Sequence, residues 1–243
     1  MTIRAVLFDL GDTLVRLEPF PADLAHVFEE ALPAGMGPAR PDIASAVALL
    51  VASDVRNAHQ AARREEVDIP GVVRSAFADL GLDCPDSLAA TLADAHGRAD
   101  VDRIHDVPGR AVFLDNLRRR GYRLGIVSNT TTRAELLSGM LGRFGLLPYF
   151  EAVVYSSREG VRKPHPGVYE AALSQLAIEP SAALFVGDRL REDVLGPRRL
   201  GMRGVLTHEF FQDAHAGEPD AVLSRLVELE QVLDDLSAHT SSA

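Results

Sequence analysis

Residues 3–15 read Ile-Arg-Ala-Val-Leu-Phe-Asp-Leu-Gly-Asp-Thr-Leu-Val, an apolar run that stops at a carboxylate and a glycine. A short, nearly continuous apolar run fits a strand covered on both faces, because a half-exposed strand would alternate with polar residues. Runs of the same kind recur in the second half of the chain, at Arg123–Val127, Ala152–Tyr155, Ala183–Val186 and Gly204–Thr207, beside the first at Ile3–Phe8. Helical patterns separate them. Ala111–Arg120 ends at Gly121, a C-terminal cap. Thr132-Arg-Ala-Glu135 has the spacing of a capping box for a helix running toward Gly142. Pro166 suits a first helical turn, with Val168, Leu173 and Leu176 as its apolar stripe. Strands alternating with helices predict an α/β fold, a Rossmann-like doubly wound parallel sheet. Such sheets bind ligands at the carboxyl ends of their strands.

The stretch from Leu17 to His105 has another character. Alanine- and leucine-rich helical patterns fill it, around Ala22–Leu32, Asp42–Arg64, Gly71–Leu80 and Ser87–Gly97, with a Pro- and Gly-rich loop at Pro33–Pro41. Residues 17–105 are therefore expected to form a second, smaller, all-helical domain inserted into a core made of 1–16 and 106–243. The crossings near Arg16–Glu18 and Ile104–Pro108 would act as its hinge. The last five residues, His239 to Ala243, read as a frayed tail.

The net charge of −10 disfavours general binding to nucleic acid or to membrane surfaces, since a polyanion is repelled on average. One cysteine, Cys84, rules out an intrachain disulfide and reads as a packing residue near a loop. The first residues carry too short an apolar run for a signal peptide, and no stretch reaches the roughly 20 apolar residues of a membrane span. The expected location is the cytoplasm.

Four places could carry chemistry. Asp9 ends the first strand and would point into the ligand crevice, although a lone aspartate there could equally cap a turn. Ser128, Asn129 and Thr130 follow the strand at Leu124–Val127, where hydroxyls and N–H groups before a helix suit phosphate oxygens. Lys163 lies in Gly-Val-Arg-Lys-Pro-His-Pro, held stiff by Pro164 and Pro166, so its ammonium has a fixed origin. Asp188 and Asp193, in Gly-Asp-Arg-Leu-Arg-Glu-Asp, offer hard oxygen ligands for magnesium and a possible partner for Lys163. Arg56, His59, Arg63 and Arg64 make a basic cluster whose plainer reading is a solvated face paired with Glu65 and Glu66.

Taken in order, Asp-x-x-Asp-Thr, Ser-Asn, Lys-Pro and Gly-Asp-x-x-x-x-Asp resemble the four-motif signature of the haloacid dehalogenase superfamily. The helical insertion falls where that superfamily often places a cap domain. The resemblance implies a magnesium-dependent phosphatase acting on a small phosphorylated metabolite. In it Asp9 is the nucleophile that becomes an aspartyl phosphate; Ser128 and Asn129 hold the phosphoryl group; Lys163 offsets its charge. Magnesium would be held by Asp9, the backbone carbonyl of Gly11 and Asp188, with Asp193 in support. One position departs from the pattern: Gly11 stands where phosphatases of the family carry a second aspartate as general acid and base. Asp12, one place later, is the candidate substitute. The departure also admits a weakly active or non-catalytic binding protein, and a 2-haloacid dehalogenase, which works without a metal.

Overall fold

The computed structural model describes residues 2–19, 23–60, 64–213 and 217–240, with the side chains of 59, 60 and 237–240 left aside. Its first strand, β1 (Ala5–Phe8), is fully buried and lies inside a six-stranded parallel sheet. Counting β2 (Arg16–Leu17) and β3 (Ile104–His105) apart, the others are β4 (Arg123–Ser128), β5 (Ala152–Tyr155), β6 (Ala183–Gly187), β7 (Arg203–Thr207) and β8 (Ala221–Leu223). They run in the order β5-β4-β1-β6-β7-β8. Ala5 pairs with Arg123 on one side and with Ala183 on the other, so β1 has no free edge.

Alternate residues of β1 serve opposite faces, which is why all of them are apolar. Val6 and Phe8 join Phe113, Leu114 and Leu117 of α5 (Arg110–Arg119) and Met140 of α6 (Ala134–Arg143). Ala5 and Leu7 join Val168, Tyr169 and Leu173 of the helix Pro166–Gln175 on the other face. Phe8 meets Phe113 edge to face, with ring centroids 6.2 Å apart. Truncating such a buried ring costs about 3–5 kcal/mol. Next to it, Gly125 of β4 is required by close approach, because a Cβ there would lie 2.6 Å from a Leu7 methyl.

The inserted segment packs four helices around its own apolar cluster, which includes Phe28, Val47, Val73, Phe77 and Leu92. They are α1 (Leu24–Ala31), α2 (Arg40–Gln60), α3 (Ile69–Asp79) and α4 (Asp86–Asp102). The fold is thus the predicted parallel sheet with flanking helices and a separate helical cap. Chain exit and return run side by side as an antiparallel ribbon, Arg16 opposite His105 and Leu17 opposite Ile104. Cys84 is half-buried against the cap's apolar cluster, and burial pushes its thiol pKa up. No helix of the described residues is long and apolar enough to cross a membrane.

Several local expectations change. Helix α4 runs past Gly97 to Asp102, because that glycine serves close packing and not termination; a Cβ there would sit 3.1 Å from Leu136 of α6. Thr132 does not cap α6, which starts at Ala134 without a side-chain cap. Its hydroxyl donates to Asp100 of the cap at 2.6 Å instead, and Glu135 pairs with Arg133 and Arg158. Arg64 lies outside α2, and its carbonyl accepts the Arg162 N–H. Arg63, the side chain of His59 and Ala22 lie outside the described residues. The final helix, Leu229–Thr240, includes two of the five residues expected to fray, and 241–243 lie outside the description.

Candidate active site

The sheet brings together carboxylates that are far apart in sequence. Asp9 follows β1, and its N–H continues the ladder by donating to Val186 of β6 at 2.9 Å. Asp188 follows β6 directly. Asp193 comes from a wide, π-helical turn at Leu190–Leu195, a form that often marks functional places. Asp193 lies back over the end of β6, so that a Cβ at Gly187 would stand 2.2 Å from its Oδ2. Only glycine fits there. All three carboxylates are buried, and one oxygen from each falls within 4.8 Å of the others.

Lys163 enters this group from the far loop. Its Nζ donates to Asp9 Oδ1 at 2.6 Å and to Asp193 Oδ1 at 2.7 Å, and its side chain is 2% exposed. Burial works against its charge, but Asp193 and Asp9 outweigh that and hold the ammonium protonated, its pKa above the ordinary value. Three carboxylates nonetheless face one ammonium. Burial, with the charges of Asp9 and Asp193, pushes the Asp188 carboxyl well above the usual range. Burial likewise raises Asp193 to about 6, against the pull of Lys163.

A site this crowded with anionic oxygen is suited to a hard divalent cation such as magnesium, which favours a few carboxylates plus water and phosphate. Both oxygens of Asp193 are engaged, Oδ1 by Lys163 and Oδ2 by the Arg189 N–H at 2.9 Å. Asp9 and Asp188 are therefore the carboxylates best placed to hold the ion, and Gly11 lines the same cavity, of about 130 Å³.

Ser128 is buried at the end of β4 and also lines that cavity. Asn129 lines it too, but its amide is committed elsewhere: Oδ1 accepts the Lys163 N–H at 2.6 Å, and Nδ2 donates to the Lys163 carbonyl at 3.0 Å. It clamps the backbone that carries the lysine. Asp12 takes a left-handed backbone (φ 52°), tolerated by aspartate better than by most residues. Its Oδ1 accepts the Leu17 N–H at 3.0 Å, tying the loop after β1 to the ribbon that joins core and cap. Leu17 also crowds the place where a side chain at position 11 would start, 2.7 Å from an ideal Cβ.

Other contributors gave no motif. Arg110, buried at the start of α5, donates to the carbonyls of Leu14 and Thr13 at 3.2 and 3.0 Å and pairs with Glu209 at 2.9 Å. It braces the loop behind Asp9. On the cap side, Leu17, Asp100 and Arg103 border both the acidic cavity and a larger one of about 370 Å³ between cap and core. Leu24, Val55 and Arg56 of the cap line that second space. Arg103 Nε pairs with Asp100 at 2.8 Å. His165 sits in the turn before its helix, its Nδ1 accepting the Gly167 N–H at 3.1 Å.

Residues 3–201 match the haloacid dehalogenase-like hydrolases, and the chain belongs to that family. It is 38% identical over 104 residues to the glyceraldehyde 3-phosphate phosphatase of Pyrococcus abyssi, a match spanning 42% of each chain. With the haloacid dehalogenase-like hydrolase domain-containing protein 3 of Danio rerio it shares 29% identity over 93% of this chain and 95% of that one. The fold resembles the crystal structure of an HAD phosphatase from Thermococcus onnurineus, with a TM-score of 0.65, 24% identity, and coverage of 95% and 98%.

Proposed function

We propose that this hydrolase is a magnesium-dependent phosphatase that cleaves a small phosphate monoester through an aspartyl phosphate on Asp9, with residues 17–105 as its cap and 1–16 plus 106–243 as its core. One observation carries the reading: Asp9 is held by Lys163 inside a carboxylate cluster that exceeds the available positive charge. An ionised carboxylate fixed in this way can attack phosphorus, forming a new O–P bond as the ester oxygen leaves. Water then attacks phosphorus and returns the free carboxylate. Lys163 and the Ser128 hydroxyl would take up charge on the equatorial oxygens. Magnesium, when bound by Asp9, Asp188 and the Gly11 carbonyl, would neutralise phosphate charge. Asp193 keeps the lysine in place.

The leaving oxygen needs a proton, and Gly11 has none to give. Asp12 is the proposed donor; with Oδ1 held by Leu17, the proton would be carried on Oδ2. The named relatives support a small metabolite as substrate, since glyceraldehyde 3-phosphate is one. Gly11 also favours a second reading, a weakly active protein of the same fold that binds phosphate without turning it over. A 2-haloacid dehalogenase is the third, which the extra carboxylates disfavour because, with no metal ion between them, they would repel an anionic substrate.

The decisive experiment is phosphate release from a panel of phosphorylated metabolites in magnesium, with Asp9→Asn as the control. Turnover that disappears in the variant and on chelation supports the proposal. Activity that survives chelation, or hydrolysis of 2-haloacids, would overturn it. Phosphate binding with no turnover anywhere would select the second reading.

A further inference from the structure

The cap touches the core at a buried carboxylate that the proposed chemistry does not use. Glu66 lies between α2 and α3, and its side chain is 4% exposed. Its Oε1 pairs with Arg162 Nη1 at 3.2 Å, itself 3% exposed. Its Oε2 accepts a short hydrogen bond from the Ser156 hydroxyl. Backbone bonds flank the pair: Glu66 N–H to the Gly160 carbonyl at 2.9 Å, and Arg162 N–H to the Arg64 carbonyl at 2.8 Å. Glu65 and Val161 form an isolated antiparallel bridge between them.

Both core partners of Glu66 lead to the site. Arg162 precedes Lys163 in the chain. Ser156 accepts the Thr130 N–H at 2.7 Å, in the loop that follows Ser128. Asn129 closes the circuit, since its amide holds the Lys163 backbone on both sides. One carboxylate from the cap therefore reaches the two loops that the core must align.

We infer that Glu66 is a positioning residue: docking of the cap through Glu66 aligns the 128–130 loop with the 160–163 loop, so closure and assembly of the phosphate site are one event. That the loops are catalytic rests on the function proposed above; that Glu66 couples them does not. A misplacement of about 1 Å at such loops can cost on the order of 10²-fold in rate. Each link can be removed separately. Ser156→Ala cuts the branch to Thr130, Arg162→Met the branch to Lys163, and Glu66→Ala cuts both. Arg133→Ala is the control, because it removes a cap–core ion pair to Asp94 that is exposed at the arginine, 61% against 28%.

Amide hydrogen exchange on the full-length protein reads this without any turnover. Glu66→Ala should speed exchange at both 129–132 and 160–163 by at least about tenfold, as expected from losing a charge-assisted hydrogen bond. Ser156→Ala should affect the first loop and Arg162→Met the second. Glu66→Gln, a milder change should Glu66→Ala fail to fold, should give a smaller rise at both. With para-nitrophenyl phosphate, Glu66→Gln should lower kcat more than it alters KM. Exchange that quickens only at 64–67, or equally in Arg133→Ala, would overturn the inference. Failure of the parent to hydrolyse any ester would sink the phosphatase reading and leave the exchange result standing.

Discussion

Two buried cations stand next to each other in the chain and serve opposite walls of the cleft. Lys163 faces the sheet, where Asp9, Asp188 and Asp193 outnumber it. Arg162 faces the cap, where it pairs with Glu66. Burial is nearly the same, 2% and 3%, while the balance of charge differs, even with Arg189 3.6 Å from Asp188. A matched pair in a dry place can do no more than hold two surfaces together, since each charge is already satisfied. An unmatched set needs something further, which a divalent cation would supply. Surplus negative charge marks the wall for chemistry, and neutrality marks the wall for attachment.

That contrast can be broken at the lysine. Lys163→Met should lower kcat by about 10²–10³, the range for losing one group that stabilises transition-state charge. It should also cost about 3–5 kcal/mol by stranding buried carboxylates. Urea unfolding would show magnesium recovering much of that loss, whereas Arg162→Met should gain nothing from the ion. Equal recovery in both variants would erase the distinction between the walls.

Asp12→Asn tests whether the contact with Leu17 conceals an acid. The substituted amide keeps an oxygen for the Leu17 N–H and loses the transferable proton. A fall in kcat of about 10² supports the acid role. Unchanged turnover on an ester with a poor leaving group would confine Asp12 to its contact with Leu17.

Magnesium itself should stabilise the folded protein by about 2.7 kcal/mol at a concentration 100 times its Kd. A thermal shift that vanishes in Asp188→Asn would place the ion on the sheet wall, and one that persists there would move it elsewhere.

The smallest effect concerns pH. Asp193 has a folded pKa of about 6 against an ordinary 3.8, so the folded state keeps a proton that the unfolded chain has already released. Stability from this group is therefore highest below about 4 and declines as pH rises toward about 6. In the absence of metal the parent should lose Tm across that window relative to Asp193→Asn, at about 2–4 °C per kcal/mol. Calorimetry that finds the same slope in both would refute the assignment.

The sheet wall was largely legible in the sequence because each of its residues is announced locally. Asp9, Ser128 and Asp188 lie at or just past the ends of apolar runs, and Lys163 precedes a proline. The cap wall had no such announcement. Glu66 meets partners 90 and 96 positions away, and nothing in Arg-Glu-Glu-Val distinguishes it from a residue paired with its neighbours. Pairing with the cap's own arginines was the natural reading, and the core took Glu66 instead. Thr132 misled for the same reason: its spacing to Glu135 suits a capping box, yet Asp100 competes for the hydroxyl from another domain. The backbone clamp made by Asn129 was likewise hidden, because an amide after a strand looks the same whether it meets a ligand or a neighbouring loop.

The paired strands at Leu17 and Ile104 have a consequence for how such a molecule can change. The long insert leaves and rejoins the core at adjacent points, so its length is invisible to the six-stranded sheet. Whole helices can be gained, lost or traded above that junction without shifting the register of a single strand beneath it. Cap residues that line the larger cavity can therefore change in one compartment while the carboxylate cluster in the other keeps its frame.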